Sequence, residues 1–221
     1  MMPHRHKTRT HKGASHYLVS LNRNGETQSI EKTAADPNGL IYRYGICEYA
    51  GTYLYALEDS LGLCALEPAF RDPESALAAA KKCAAELAQG SQSVIVRDDI
   101  WASLLMESYR QHSLDATRLH LYATVFELAV WKALAALPSG CKASYGELAR
   151  LAGQKPSAAR AVGSVLAKNR IALFLPCHRI IPAKGGIGAF RWGANYKEKL
   201  LQMEGAATTK NSFAGAGSGT A

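Results

Sequence analysis

Between residues 40 and 67 the apolar positions gather into three short runs, 40–48, 52–58 and 61–67. They are rich in Tyr, Ile and Leu and are broken at Ala50-Gly51 and Asp59-Ser60. Short β-favouring runs separated by turn residues predict a small antiparallel meander. The period then changes. Residues 73–89 are Ala-rich with apolar positions at helical spacing, Pro73 suits a first turn, and Gly90 suits the position beyond the end. A second helix is expected over 98–112. Further on, Phe126, Val130, Ala133, Leu134 and Leu137 mark one face of a helix that Pro138-Ser139-Gly140 ends. Ser144 and Glu147 have capping-box spacing for the next helix, with Gly153 as its C-cap and Pro156 soon after. Another helix is expected over 157–169. Two helices joined by a short Gly-containing turn, with Ala149 and Gly153 at the crossing, read as a helix-turn-helix. Many helical hairpins share that pattern without touching DNA.

The ends differ from this interior. Residues 1–38 are polar and close on the turn signal Asp36-Pro37-Asn38-Gly39, and residues 206–221 are mostly Ala, Gly, Ser and Thr. Such segments bury too little to order themselves. The expected division is a disordered basic tail over 1–38, a small lobe over 39–118, a second lobe over 119–205 and a disordered tail over 206–221. The fold class is α+β.

Charge sharpens the division. The 221 residues carry a formal net charge of +8. Residues 40–117 hold 6 basic and 11 acidic side chains, whereas residues 118–205 hold 13 basic and 4 acidic. An acidic lobe followed by a strongly basic one points the second lobe toward a polyanion, although a solvated basic surface has the same composition. No apolar run is long enough to span a membrane, and the N-terminus lacks the apolar stretch of a secretory signal. The five cysteines are odd in number and scattered, with no C-x-x-C pair. That points to a reducing compartment and away from a structural zinc site.

The stretch with the most chemistry runs from Ile171 to Pro182, where an apolar run ends in Pro176-Cys177-His178-Arg179. Apolar surroundings raise a thiol's pKa, and the adjacent imidazole and guanidinium are expected to counter that and favour thiolate. Alone, such a cysteine is more often a structural core residue. His178, Tyr145 and Glu204 taken singly read as packing or surface residues, and Arg160 as a solvated helix-face cation.

Together they carry a resemblance. Pro176-Cys177-His178-Arg179-Ile180 resembles the active-site signature of the O6-alkylguanine-DNA alkyltransferases, the methylated-DNA–protein-cysteine methyltransferases. Ser144-Tyr145, Ala159-Arg160-Ala161-Val162-Gly163 and Asn169 precede it in the family's order. Phe190-Arg191-Trp192-Gly193, Lys199-Leu200-Leu201 and Glu204-Gly205 follow it. The Arg-Trp-Gly element is most similar to the C-terminal domain of bacterial Ada-type proteins. Residues 40–117 resemble the family only in pattern.

The resemblance implies a ribonuclease-H-like small lobe, a short antiparallel sheet plus helices. A mainly helical, winged-helix-like alkyltransferase domain with a helix-turn-helix follows. It implies irreversible, stoichiometric transfer of an alkyl group from O6-alkylguanine, and from O4-alkylthymine, onto Cys177. Displacement at saturated carbon wants a soft nucleophile and a proton donor for the leaving oxygen. The implied roles follow. Cys177 accepts the alkyl group, and His178 takes its proton through a bound water. Glu204 orients His178, Asn169 braces the turn, and Tyr145 donates toward the flipped base. Arg160 fills the gap left in the duplex, since a base inside the stack must be extruded to be reached. Ala159 and Ser164 lie on the helix that approaches the minor groove, with Lys155, Lys168 and Arg170 as candidate phosphate contacts. Backbone groups at Cys177, Ile180 and Arg191 read the guanine edge, Phe190 packs on the base, and Trp192 is core. The implied partner is double-stranded DNA carrying O6-alkylguanine, bound by a monomer without cofactor or metal. The expected place is the cytoplasm and nucleoid of a bacterium, or a eukaryotic nucleus. The Cys-rich module and activator role of full Ada-type proteins are not expected. The alternatives are a non-catalytic alkyltransferase-like damage binder and a helix-turn-helix regulator. The first is opposed by the joint presence of Cys177, His178 and Glu204. The second does not explain Pro-Cys-His-Arg.

Overall fold

The computed structural model describes residues 14–21, 27–33, 41–87, 94–113 and 117–205. The small lobe is built on a seven-stranded sheet. In chain order its strands are β1 (Ser15–Leu21), β2 (Thr27–Thr33), β3 (Ile41–Tyr49), β4 (Thr52–Glu58), β5 (Leu63–Phe70), β6 (Val94–Arg97) and β7 (Arg118–Ala123). Their spatial order is β2-β1-β7-β5-β4-β3-β6. The expected meander is present: β3 pairs antiparallel with β4, and β4 with β5.

Alternation along the strands divides the core. Tyr42, Tyr44, Ile46, Tyr55 and Leu57 pack with Ala76, Ala80, Cys83 and Ala84 of α1 (Pro73–Leu87). Cys47, Leu54 and Ala56 point to the opposite face and join Ala102 and Met106 of α2 (Asp99–Arg110). This is the two-residue period of a strand buried on both faces. Asp98 caps α2 by accepting the Trp101 amide at 2.8 Å. No side chain fits at Gly45, where a Cβ would lie 2.1 Å from the Asp98 carbonyl oxygen.

Two boundaries differ from the sequence reading. The expected disordered tail over 1–38 is overturned at Ser15–Leu21 and Thr27–Thr33, where β1 and β2 form a hairpin whose inner strand pairs with β7 from Ser15 to Ser20. Val19 is buried there, so a polar-looking strand is retained by one apolar position and a full ladder of backbone bonds. The lobe boundary lies at Thr124 rather than near 118, because β7 joins β1 to β5 inside the sheet. The turn at 36–39, Leu40, Gly90 and residues 206–221 lie outside the described residues.

The second lobe opens with a capping box at Thr124 and Glu127 on α3 (Val125–Ala135). The predicted box at Ser144 and Glu147 also forms, and starts α4 (Tyr145–Leu151). A single 3-10 turn, Pro156–Ala158, leads into α5 (Ala159–Leu166), shorter than the 157–169 expected. Strand β8 (Ala143–Ser144) pairs in parallel with β9 (Ile180–Ile181), and α6 (Ala194–Met203) closes the described chain. The lobes are stitched by backbone. Leu66 of β5 donates to the Arg170 carbonyl at 2.7 Å and accepts from the Ala172 amide at 2.9 Å. No helix among the described residues is long and apolar enough to cross a membrane.

Candidate active site

The apolar run 171–176 threads the core, and every residue from 171 to 180 is buried. The chain must reverse inside that core, so its backbone polar groups need partners. Asn169, 1% exposed, supplies them. Its Oδ1 accepts the Ile171 amide at 2.9 Å, and its Nδ2 donates to the Leu175 carbonyl at 2.8 Å. The Leu175 amide returns to the Ile171 carbonyl at 3.0 Å. Within this turn Leu173 holds φ at 69°, a left-handed value uncommon for Leu and sustained by the bonds on either side.

Cys177 follows directly, at the start of a 3-10 turn, Cys177–Arg179. Asn169 Nδ2 also donates to its Sγ at 3.1 Å. Burial pushes the thiol up to about 11, against the Asn169 hydrogen bond and the positive charges of Lys197 and Arg191. Here the structure corrects the sequence reading, which gave His178 and Arg179 the task of favouring thiolate. Both turn instead toward Glu204. His178 Nε2 lies 2.8 Å from Glu204 Oε1, and Arg179 donates to the same carboxylate from Nε and Nη2 at 2.7 to 3.2 Å. The Gly140 amide completes the set at 3.3 Å.

The electrostatics of this group follow from its burial. Desolvation raises the Glu204 carboxyl, but hydrogen bonds and charge from His178 and Arg179 outweigh that and bring it down to about 2. Burial lowers the His178 pKa, partly offset by Glu204. His178 is therefore a neutral imidazole at neutral pH. With Nε2–H given to a carboxylate, its Nδ1 holds the lone pair and can act as a base.

Two neighbours were missed in the sequence. Lys197 is 1% exposed, donates from Nζ to the Ile180 carbonyl, and is lowered by burial to about 8 despite the opposing influence of Cys177. Its signal was weak, since a lysine within the polar pattern of α6 reads as solvated. Glu67 of β5 accepts two bonds of 3.1 Å from Arg191, whose Nη1 also donates to the Asn169 carbonyl at 3.2 Å. No local pattern announces a partner 124 positions away.

The other expected site residues fall into two groups. Tyr145 is half-buried at the start of α4, and burial with the nearby Cys177 raises its phenol. Phe190 is half-buried beside Trp192, with ring centroids 5.2 Å apart. Ile180 is fully buried, and its carbonyl is engaged by Lys197. On α5, Arg160 and Ser164 are exposed and Ala159 half-exposed, while Val162, Val165 and Leu166 are buried. This leaves a face of small side chains with one cation projecting. Two cations expected on that surface are engaged elsewhere. Lys168 pairs with Glu127 at 2.5 Å, and Arg170 turns to Glu86 at 3.2 Å.

Residues 125–206 match the family described as 6-O-methylguanine DNA methyltransferase, DNA binding domain. The fold matches the crystal structure of Mycobacterium tuberculosis OGT in complex with DNA. That match has a TM-score of 0.56 and 30% identity over 75% of this chain and 94% of that one. The chain belongs to the O6-methylguanine DNA methyltransferase family. The regulatory protein ada of Salmonella typhimurium is 30% identical over 162 residues, 73% of this chain and 45% of its own length. The methylated-DNA–protein-cysteine methyltransferase of Kluyveromyces lactis is 48% identical over 85 residues, 38% of this chain and 44% of its own length. The chain thus spans less than half the length of these two curated relatives. The stretch that matches the family model is the second lobe, which carries Cys177, His178 and Glu204.

Proposed function

We propose that this protein repairs alkylated DNA by moving an alkyl group from guanine O6 to its own Cys177 Sγ, once per molecule. The observation that carries the reading is the buried Cys177 thiol, hydrogen-bonded by Asn169 and followed in the chain by His178, which is held by the Glu204 carboxylate. A thiol held at about 11 is protonated at neutral pH and needs a base. His178 Nδ1 takes that proton through a bound water, and Glu204 stabilises the imidazolium formed. The thiolate then forms a C–S bond as the C–O6 bond breaks. The electron pair passes to the guanine oxygen, Tyr145 gives the base a proton, and Tyr145 regains one from water as His178 releases the proton it took from Cys177. The thioether is stable, so the site is consumed.

DNA reaches the site through α5. Its small exposed residues suit close approach to the minor groove, and Arg160 projects from the first turn to occupy the space of an extruded base. The relative's structure in complex with DNA supports this partner. O4-alkylthymine presents the same alkyl–oxygen bond and is a second substrate. The small lobe is read as ribonuclease-H-like, because the meander β3-β4-β5 is followed by α1 and by β6 parallel to β3. The second lobe is read as winged-helix-like, because α4 packs on α5 and lies beside the β8–β9 pair. The protein works as a monomer in the compartment that holds the DNA.

Incubation with duplex DNA bearing labelled O6-methylguanine tests the proposal. Label should appear on the peptide containing Cys177, at no more than one equivalent. Label left on DNA, or found on another residue, rejects it. Arg160→Ala should slow transfer from duplex DNA about 10- to 100-fold, while transfer from the free modified base changes less than about twofold. Equal losses on both substrates would remove Arg160 from base extrusion.

A further inference from the structure

One small-lobe side chain, Glu67, reaches the loop that follows Cys177. Glu67 sits on β5, and Arg191 lies in the loop after Cys177. Their side chains are 12% and 21% exposed. The Arg191 guanidinium bridges two partners, the Glu67 carboxylate and the Asn169 carbonyl. Asn169 is also the residue whose amide holds Cys177 Sγ. Arg170, next to Asn169, returns to the same lobe at Glu86 at 3.2 Å and lies 3.9 Å from Glu67, a longer contact than the 3.1 Å bonds that Glu67 makes to Arg191. The turn bearing Cys177 is therefore held from below by β5 and from the side by a guanidinium whose other anchor is β5. A guanidinium has five donors, and a single carbonyl does not keep it out of water. Without Glu67, Arg191 has one neutral acceptor and a free path to solvent.

We propose that Glu67 is a positioning residue. It holds Arg191 against the Asn169 carbonyl, and so fixes both the turn that presents Cys177 and the loop 185–193 beside it. Its consequence for transfer rests on the alkyl-acceptor reading; its consequence for the thiol does not.

The test is a double-mutant cycle of Glu67→Gln and Arg191→Gln in the full chain. It is read by iodoacetamide labelling of the Cys177 peptide from about pH 6 to about pH 11, and in parallel by transfer from O6-methylguanine DNA. Each single variant should lower the labelling rate about threefold at every pH below the thiol's own pKa, which equals an upward shift of the midpoint by about 0.5 pH, and slow transfer about 3- to 10-fold. The double variant should match Arg191→Gln alone, because Glu67 acts through that guanidinium. Removing a carboxylate charge that merely sat nearby would favour thiolate and move the midpoint down. A downward shift, no shift, or additive effects would each overturn the proposal. Glu67→Asp keeps the charge and shortens the reach. It should show the same upward shift with an unfolding midpoint near that of the wild type, and it decides the question if Glu67→Gln does not fold. If the wild type takes no label from DNA, the functional reading falls, while the thiol cycle still decides for or against Glu67.

Discussion

Cys177→Ser abolishes alkyl transfer while leaving affinity for lesion-bearing duplex DNA within about twofold of the wild type. Serine keeps the shape of the site and still accepts the Asn169 Nδ2 hydrogen bond made to Sγ. The turn built by Asn169, Ile171 and Leu175 is untouched. What is lost is nucleophilicity, because a hydroxyl is far harder to ionise and a poorer nucleophile at saturated carbon. We expect a fall of at least about 10,000-fold in single-turnover rate. DNA binding survives because the exposed cationic and small residues of α5 lie on a separate surface. Labelled-DNA transfer and a binding titration on the same preparation read the two effects. Transfer persisting in the serine variant would move the acceptor elsewhere. Loss of binding together with transfer would make Cys177 a structural residue. The thiol itself gives a related result. Burial holds it at about 11, so iodoacetamide labelling of Cys177 in the free protein should rise about tenfold per pH unit through neutrality.

The parts of this site written in local sequence were readable, and the parts written across the sheet were not. Thr124 and Ser144 cap their helices, each with a Glu three positions on. At Ser144 that local signal located α4. The meander β3-β4-β5 was equally visible, because its runs are apolar and broken by turn residues. The β1–β2 hairpin was not, since its stability lies in backbone pairing with β7, a partner about a hundred residues away. Helix α6 was also passed over. Its buried Tyr196, Leu200 and Leu201 are interleaved with lysines, one of which is itself buried. The structure brings Asn169 to Cys177 and Glu204 to His178, its neighbour in the chain. The direction of their charges did not follow from adjacency in sequence. Arg179 neighbours Cys177 along the chain yet spends its charge on Glu204, whereas Lys197 and Arg191 act on the thiol from further along. Lys168 and Arg170, two of the candidate phosphate contacts, each pair with a carboxylate of the protein. Net charge counts such residues fully, and only geometry shows which of them remain available to phosphate.

Glu204→Gln should cost both stability and rate. The carboxylate serves His178, Arg179 and the Gly140 amide together. Arg179 is 8% exposed and donates to the Leu137 carbonyl as well, so its charge cannot turn to water. An amide in place of the carboxylate leaves that guanidinium buried without a counter-charge, a loss of about 3 kcal/mol. The pH dependence tells the charge apart from the shape. Glu204 is held at about 2 in the fold, below its ordinary 4.5. The unfolded chain therefore binds the proton first on acidification. Stability contributed by Glu204 is full above pH 4.5 and is lost as pH falls from there toward about 2. The size of that loss is about 3 kcal/mol. His178 is also lowered, from 6.5, so acidification below that value removes stability in the same direction and begins earlier. Unfolding midpoints measured across this range should fall steeply below pH 4.5 in the wild type. In Glu204→Gln that lower limb should flatten, starting from a baseline already about 3 kcal/mol lower. Transfer should slow about 10- to 100-fold, because the imidazolium formed when His178 takes the Cys177 proton loses its counter-charge. A variant that keeps the steep acid limb would place the titration on another carboxylate. One that transfers at the wild-type rate would show that His178 needs no anion behind it.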